Sequence, residues 1–233
     1  MEKGIFYAVG IGVGDPMDMT LKAKHILETA DVIVVPVRKQ GEKSVAFEIA
    51  NQAADMSKSE KLEVVFPMKA AKDYKAYLEG DVLDPIRSRL DENKTVAMVT
   101  LGDVSVYSTA TYVRQKLENL GYKTEVIPGI TTFINAAARA GISLCENNES
   151  LIVLPGIRTE ESLKPYFDKF DTIVIMKAGK ALEWIIPFLE KRGLKENTKM
   201  FCNIGMENEY IGPIENKETG YFTTLIIKCG GLK

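Results

Sequence analysis

Histidine and cysteine are scarce in this chain, and their scarcity excludes several classes of catalytic site. The 233 residues include one histidine and three cysteines, and no C-x-x-C motif occurs. A lone His25 cannot supply a histidine-based zinc site or a Ser-His-Asp triad unaided, so we interpret it as a helix-face residue. We expect Cys145, Cys202 and Cys229 to be reduced thiols, buried as small hydrophobic side chains.

Excess positive charge and long apolar runs are also missing. The net charge is −2 with 27% charged residues, which argues against the basic surface of a nucleic-acid-binding protein. No apolar stretch reaches the roughly 20 residues that span a bilayer, and no secretory signal precedes the first strand-like run. We therefore expect a cytoplasmic protein with no nucleic-acid partner, no membrane partner and no metal site of its own.

Buried strands alternate with amphipathic helices in the first half of the chain. Ile5–Val9 and Val32–Val35 are apolar runs typical of strands, and Thr20 can cap a helix between them. Strand, glycine turn, helix and strand form a βαβ unit, which predicts parallel strands. Further strands are predicted at 62–66 and 95–101. Further helices are predicted at 44–54 and 70–92, and on the apolar face formed by Val106, Ala110, Val113, Leu117 and Leu120.

The second half of the chain has a different order of predicted strands and helices. Strands are predicted at 125–127, 150–154 and 172–176, with a helix at 131–140 and another near Leu182–Leu189, where Pro187 predicts a kink or a late start. Three later strand-like segments, 199–204, 209–212 and 221–228, have no long helix between them. This pattern favours antiparallel strands at the end of a mixed sheet. The sequence therefore predicts an α/β protein of two domains, residues 1–120 and 121–233.

Three glycines follow the first predicted strand, in GIGVGDPMD (Gly10–Asp18). Neither frame fits the dinucleotide fingerprint G-x-G-x-x-G, and the Gly-Lys-Ser/Thr of a P-loop is missing. Glycine-containing strand ends recur in LGDVSVYST (Leu101–Thr109), VIPGITT (Val126–Thr132) and VIMKAG (Val174–Gly179). Ligands of open α/β sheets bind beyond the carboxyl ends of the strands, so these loops predict a crevice where the backbone contacts a ligand.

Together these segments resemble the tetrapyrrole methylase family, whose members use S-adenosylmethionine. The resemblance covers nearly the whole chain, and it implies two α/β domains with the cofactor crevice between them and, usually, a homodimer. Val13 and Val104 stand where the family commonly has proline. Several stretches are similar to the members that methylate carbon 20 of precorrin-2, or of its cobalt complex, in cobalamin biosynthesis: GEKSVAFEIA (Gly41–Ala50), VVFPM (Val64–Met68), AAARAG (Ala136–Gly141), VIMKAG (Val174–Gly179) and GYFTTLII (Gly220–Ile227).

The resemblance also implies the site residues. S-adenosylmethionine would contact two groups of residues, of which the first is Leu101, Gly102, Asp103, Val106, Thr131 and Thr132, and the second is Met176, Ala178, Gly205 and Met206. The tetrapyrrole would contact Gly12, Gly14, Asp15, Tyr107 and Lys177. Its carboxylates could pair with basic side chains, for which Arg38, Lys39, Arg139 and Arg158 are further candidates. No residue is singled out as a catalytic base.

Simpler interpretations stay open at this point. Thr131 and Thr132 could cap the following helix, Met176 and Met206 could fill the core, and each basic candidate could be a solvated surface charge. The same fold could act on another tetrapyrrole position, an rRNA nucleotide or a protein side chain. The missing G-x-G-x-x-G disfavours a nucleotide-binding oxidoreductase. The presence of all the segments that resemble the family disfavours a non-catalytic nucleotide-binding module.

Overall fold

The computed structural model describes residues 2–66 and 78–231, which form two compact units. The first unit ends at Thr131 and the second begins at Thr132, and each contains a five-stranded sheet. The division comes later than the boundary that we predicted at residue 120. The reason is that Lys123–Ile127 pairs with the first strand of the chain and so belongs to the first sheet.

The first unit is built on a fully parallel sheet, as the βαβ pattern predicts. Its strands are β1 (Ile5–Gly10), β2 (Val32–Val37), β3 (Glu60–Val65), β4 (Val96–Thr100) and β5 (Lys123–Ile127), in the order β3-β2-β4-β1-β5. Its helices are α1 (Leu21–Thr29), α2 (Val45–Ala53), α3 (Leu83–Asp91), preceded by a π-helical turn at Leu78–Val82, and α4 (Thr109–Asn119). Because the strands are parallel, the loops after β1, β4 and β5 all leave the same edge of the sheet.

Local sequence signals account for these elements. All five residues of β4 are buried, which is typical of a parallel strand covered on both faces. The side-chain oxygen of Thr20 accepts the N–H of Ala23 at 3.1 Å and caps α1, as predicted. Ser44 caps α2 in the same way by accepting the N–H of Phe47.

Two residues that we predicted on the buried face of α4 lie elsewhere. Ser108 caps this helix by accepting the N–H of Ala110, so the helix begins after Val106. Leu120 lies at its C-terminal end and is 46% exposed, while Gly121 takes a φ of +80° and ends the helix. The first part of the helix predicted at 70–92, residues 70–77, lies outside the described residues.

The second unit is built on the mixed sheet that we predicted. Its strands are β6 (Leu151–Leu154), β7 (Thr172–Met176), β8 (Thr198–Cys202), β9 (Tyr210–Pro213) and β10 (Thr223–Lys228), in the order β6-β7-β10-β8-β9. Only β6 and β7 pair in parallel; the other pairings are antiparallel. Its helices are α5 (Thr132–Ala140), the short α6 (Glu160–Leu163) and α7 (Leu182–Lys191). α7 includes Pro187 and begins at Leu182, so the late start that we considered does not occur.

The scarce residue types lie mostly where the sequence predicts. His25 is an exposed residue of α1, and the three cysteines are free thiols. Burial raises the pKa of Cys202 and Cys229, but Cys145 is exposed in the loop after α5, so its predicted burial is wrong. Within residues 2–66 and 78–231, no helix is long and apolar enough to cross a membrane, and no group of three or more His, Cys, Asp or Glu residues could hold a metal ion.

A buried ammonium group lies at the carboxyl end of β10. The Lys228 side chain is 7% exposed, and its Nζ donates to Glu149 Oε2 at 2.7 Å and to the Leu144 carbonyl at 3.3 Å. The Glu149 side chain is 25% exposed and so reaches water. The pair therefore fastens the loop after α5 to the last strand of the sheet.

We predict that Glu149→Gln lowers the free energy of unfolding by about 1–3 kcal/mol, because it leaves a buried ammonium without its counterion. Lys228→Met should cost less, since the carboxylate left behind is partly solvated. Urea unfolding at pH 7 measures both. Glu190→Gln is the control, because its 2.6 Å bond to Lys195 joins exposed side chains and should contribute under about 1 kcal/mol. Equal losses from Glu149→Gln and Glu190→Gln would contradict this account.

Candidate functional site

The loops after β1 and β4 meet backbone to backbone at the carboxyl edge of the first sheet. The N–H of Gly102 donates to the carbonyl of Gly12 at 2.7 Å, and the N–H of Gly12 donates to the carbonyl of Gly102 at 3.3 Å. This reciprocal pair forms an isolated antiparallel bridge. Both residues have positive φ angles, +81° and +75°, a conformation that glycine adopts without steric cost.

The loop after β5 approaches the same point too closely for any side chain. A Cβ atom on Gly129 would lie 2.3 Å from the carbonyl oxygen of Gly102, and one on Gly10 would lie 2.7 Å from the backbone nitrogen of Gly129. Because the clashing atoms belong to backbones, neither could move aside easily. The glycines of the three loops therefore permit contact between the loops, and they do so without a dinucleotide fingerprint.

One carboxylate holds the β4 and β5 loops together. Asp103 is 9% exposed, and its Oδ1 accepts from the N–H and the hydroxyl of Ser105. Its Oδ2 accepts the N–H of Gly129 at 2.8 Å. Burial raises the pKa of Asp103, but the hydrogen bonds from Ser105 and Gly129 outweigh it and hold the pKa below its ordinary value of 3.8. Asp103 is thus an ionised support for two loops at neutral pH.

Thr131, at the end of the loop after β5, has a side-chain hydroxyl with no hydrogen-bond partner among the described residues. Thr131 Oγ1 is buried and makes no hydrogen bond to any residue that the structure describes. Thr131 therefore does not cap α5, which removes the simpler interpretation of this residue. Buried polar atoms are nearly always hydrogen-bonded, so an unsatisfied one calls for an explanation, such as a ligand.

The other predicted residues of the first unit differ in their exposure. Tyr107 has a φ of +51° and is 46% exposed, and partial burial raises its pKa. Asp15 caps the 3-10 turn Pro16–Asp18 by accepting the N–H of Met17 at 2.9 Å. Leu101 and Val106 are half-buried, and Gly12 and Gly14 are buried. Sequence reasoning did not single out Met17, which is 88% exposed beside these glycines.

The edge of the second sheet at which β7 ends carries two more of the predicted cofactor residues. Met176 is the last residue of β7 and is half-buried, while Ala178 is buried in the turn that follows. Lys177, between them, has a φ of +58°. A Cβ on Gly156 would lie 2.9 Å from the Lys177 carbonyl oxygen. The loop after β6 is therefore packed against the end of β7 by its backbone.

The loop after β8 leaves from the same edge of the second sheet. Thr223, at the start of β10, pairs with Cys202, at the end of β8. Gly205 and Met206 follow in this loop and are half-buried. The N–H of Met206 donates to the Asn203 carbonyl at 2.9 Å, and Gly205 has a φ of +72°. Neither Met176 nor Met206 is a buried core side chain, so core filling does not account for them.

The basic candidates for binding carboxylates are not equivalent. Three are exposed, as expected of solvated charges: Arg38, Lys39 and Arg158. Lys177 Nζ lies 5.1 Å from the centre of the Tyr221 ring. Arg139 takes part in an ion pair within the second unit. Of the five, Lys177 is the one that directly follows a predicted cofactor residue, Met176, in the sequence.

The sequence of residues 6–217 matches the family model described as Tetrapyrrole (Corrin/Porphyrin) Methylases. The chain belongs to this family. The matched range contains the glycine loops after β1, β4 and β5, so these three segments of the resemblance are part of the match.

Named tetrapyrrole methylases resemble the chain along most of its length. The probable cobalt-precorrin-2 C(20)-methyltransferase of Methanocaldococcus jannaschii is 41% identical over 172 residues, which cover 73% of this chain and 71% of that protein. The cobalt-precorrin-2 C(20)-methyltransferase of Salmonella typhimurium is 27% identical over 96% of both chains. The structure of the Thermus thermophilus uroporphyrin-III C-methyl transferase, complexed with S-adenyl homocysteine, has a TM-score of 0.69 at 20% identity and covers 97% of each chain. This likeness confirms the predicted fold.

We predict that Asp103→Asn destabilises this methylase by about 1–3 kcal/mol at pH 7, because the amide replaces a buried, charged acceptor of two backbone N–H groups. The folded pKa lies below the unfolded one, so the carboxylate contributes stability above the unfolded pKa and loses it as the pH falls through the folded pKa. The loss caused by the substitution should therefore be constant from pH 7 to pH 5 and shrink only below about pH 4.

Urea unfolding at several pH values measures this effect. Asp55→Asn is the matched control, since Asp55 also accepts the N–H of the residue two positions later, but it is exposed. We expect the control to cost clearly less. A loss that disappears between pH 7 and pH 5 would mean that burial raises the pKa of Asp103 above its ordinary value. It would contradict the assignment of Asp103 as an ionised support.

Proposed function

We propose that the chain is an S-adenosylmethionine-dependent C-methyltransferase that methylates carbon 20 of precorrin-2, or of its cobalt complex, in cobalamin biosynthesis. The observation that carries the proposal is the 41% identity to the archaeal C(20)-methyltransferase. Family membership supports the methylase activity, and this identity supports the ring position.

The glycine loops suit a reaction in which the protein binds and aligns two reactants. S-adenosylmethionine supplies an activated methyl group, so the protein contributes mainly orientation. The chain fits this cofactor through the unsatisfied hydroxyl of Thr131, which lies in the same loop as the closely packed Gly129. Of the cofactor residues implied by the family, we propose as contacts Leu101, Gly102, Val106 and Thr131 in the first unit, and Thr132, Met176, Ala178, Gly205 and Met206 in the second. Asp103 supports them by fixing the loop after β4.

The tetrapyrrole carries several carboxylates, and we propose that Lys177 pairs with one of them. Tyr107 is a second proposed contact, because it presents an exposed ring directly after the β4 loop. Gly12 and Gly14 are buried, so their proposed part is to shape the loop that presents Asp15. We also propose that the protein is a homodimer, as the family resemblance implies, and that it is cytoplasmic without a nucleic-acid or membrane partner, as the charge and the apolar pattern of the sequence predict.

Incubation of the protein with S-adenosylmethionine and precorrin-2, with and without cobalt, tests the proposed reaction. We expect the mass of the ring to increase by one methyl group, and the preferred metal state identifies the substrate. Calorimetry with S-adenosylhomocysteine provides the second measurement. Binding without methylation would reject the acceptor, whereas no binding would reject the cofactor as well.

We predict that Thr131→Val lowers the affinity for S-adenosylhomocysteine about tenfold and leaves the stability of the ligand-free protein unchanged or higher. The reason is that the hydroxyl has no partner within residues 2–66 and 78–231, so the proposed hydrogen bond to the ligand is the one that the substitution removes. Thr172→Val is the control. Its hydroxyl donates to the Leu144 carbonyl at 2.7 Å, so this change should cost stability and leave the affinity as it is. A Thr131→Val protein with unchanged affinity would remove Thr131 from the site.

A further inference from the structure

A chain of polar contacts in the second unit links α5 to the loop after β8. Arg139, near the end of α5, donates from Nε to Asn135 Oδ1 at 2.9 Å. Its Nη1 lies 3.2 Å from Glu209 Oε2. The same carboxylate oxygen accepts the backbone N–H of Gly205 at 2.5 Å. One guanidinium and one carboxylate thus connect a helix to the backbone of a loop far along the chain.

The neighbouring residues fix the orientation of the Arg139 and Glu209 side chains. Asn135 lies one helical turn before Arg139 and is buried, so it holds the Nε edge of the guanidinium while Nη1 reaches Glu209. Glu209 stands directly before β9, and the pairing of Tyr210 with Cys202 holds that strand in the sheet. Two of the guanidinium nitrogens are therefore engaged inside the protein, which disfavours Arg139 as a partner of a substrate carboxylate.

The loop after β8 contains three residues in the left-handed conformation. Asn203, Gly205 and Asn208 have φ angles of +51°, +72° and +59°. Asparagine and glycine tolerate this conformation better than other residue types, so the sequence permits the path of the loop, and bonds to the rest of the unit hold it. A carboxylate that accepts a backbone N–H makes a charge-assisted bond, which is stronger than a neutral one. Glu209 is therefore placed to select the conformation of the Gly205–Met206 backbone.

We propose that Arg139 is a positioning residue, which acts through Glu209 to hold the Gly205–Met206 segment in its ligand-binding conformation. The inference rests on the proposed function, because that segment is a proposed part of the cofactor site. The effect of Arg139 is then on the binding of S-adenosylmethionine and S-adenosylhomocysteine. The tetrapyrrole carboxylates are bound by other groups.

Hydrogen exchange of the ligand-free protein tests the connection itself. Arg139→Gln and Glu209→Gln should each increase the exchange of the amides of residues 203–209 and leave those of β10 unchanged. Arg139→Lys should have an intermediate effect, because it keeps the charge and loses the planar fork that reaches both partners. Lys191→Gln, which removes an exposed charge on α7, is the control and should change neither segment. Unchanged exchange of residues 203–209 in both Gln variants would overturn the proposal.

Calorimetry and steady-state kinetics test the consequence for ligand binding. Each Gln variant should raise the Kd for S-adenosylhomocysteine about fivefold to tenfold, and the double variant should be no weaker than the weaker single one, because both break one coupled unit. The KM for S-adenosylmethionine should rise, with kcat and the KM for the tetrapyrrole nearly unchanged. An Arg139→Gln effect on the tetrapyrrole KM alone would overturn the proposal and identify Arg139 as a substrate contact.

The two tests separate this inference from the proposed function. A wild-type protein that binds no S-adenosylhomocysteine would reject the proposed function and, with it, the role of Arg139 in ligand binding. The exchange measurement needs no ligand, so it decides the connection between Arg139, Glu209 and Gly205 in either case.

Discussion

Backbone contact among three loops, held by one buried carboxylate, is the constraint on which the first unit depends. The loops after β1, β4 and β5 approach so closely that no Cβ atom fits at Gly10 or Gly129. Asp103 fastens this contact, because it accepts hydrogen bonds from its own loop and from the next one. The contact fixes the backbone of the three loops at the carboxyl edge of the first sheet, where we propose that the ligand binds.

In the second unit, close backbone contacts and one carboxylate also hold the loops at a sheet edge. Its sheet is mixed, so strands of both directions meet at the edge where β7 ends. Close backbone contacts recur there, since a Cβ on Gly179 would lie 2.6 Å from the carbonyl oxygen of Gly220. The loop after β8 is held by Glu209, which accepts from its backbone and pairs with Arg139. In each unit a carboxylate that accepts a backbone N–H fixes a loop.

The sequence predicts the features that depend on neighbouring residues. Apolar runs identify the strands, Thr20 and Ser44 identify helix starts, and the loss of helices after residue 191 identifies the antiparallel part of the second sheet. The segments that resemble the family identify the candidate cofactor residues, whose contacts with the cofactor remain predictions. The Asp-x-Ser spacing of Asp103 and Ser105 is a local turn signal that our sequence analysis did not use.

Features that depend on distant partners are not predictable in this way. Nothing near Asp103 indicates that its second oxygen holds Gly129, and nothing near Arg139 indicates Glu209. The short run at 125–127 predicts a strand but not the sheet that it joins, which is why the domain boundary was placed too early. These relations come from topology, which brings together residues that are distant in the sequence.

A crystal structure of the protein with S-adenosylhomocysteine would test the central claim most directly. The account predicts that the ligand makes a hydrogen bond to Thr131 Oγ1 while the Asp103 carboxylate still accepts from Ser105 and Gly129. A ligand bound away from Thr131, or one for which Asp103 leaves Gly129 to contact the ligand itself, would contradict the assignment of Asp103 as the support of the site.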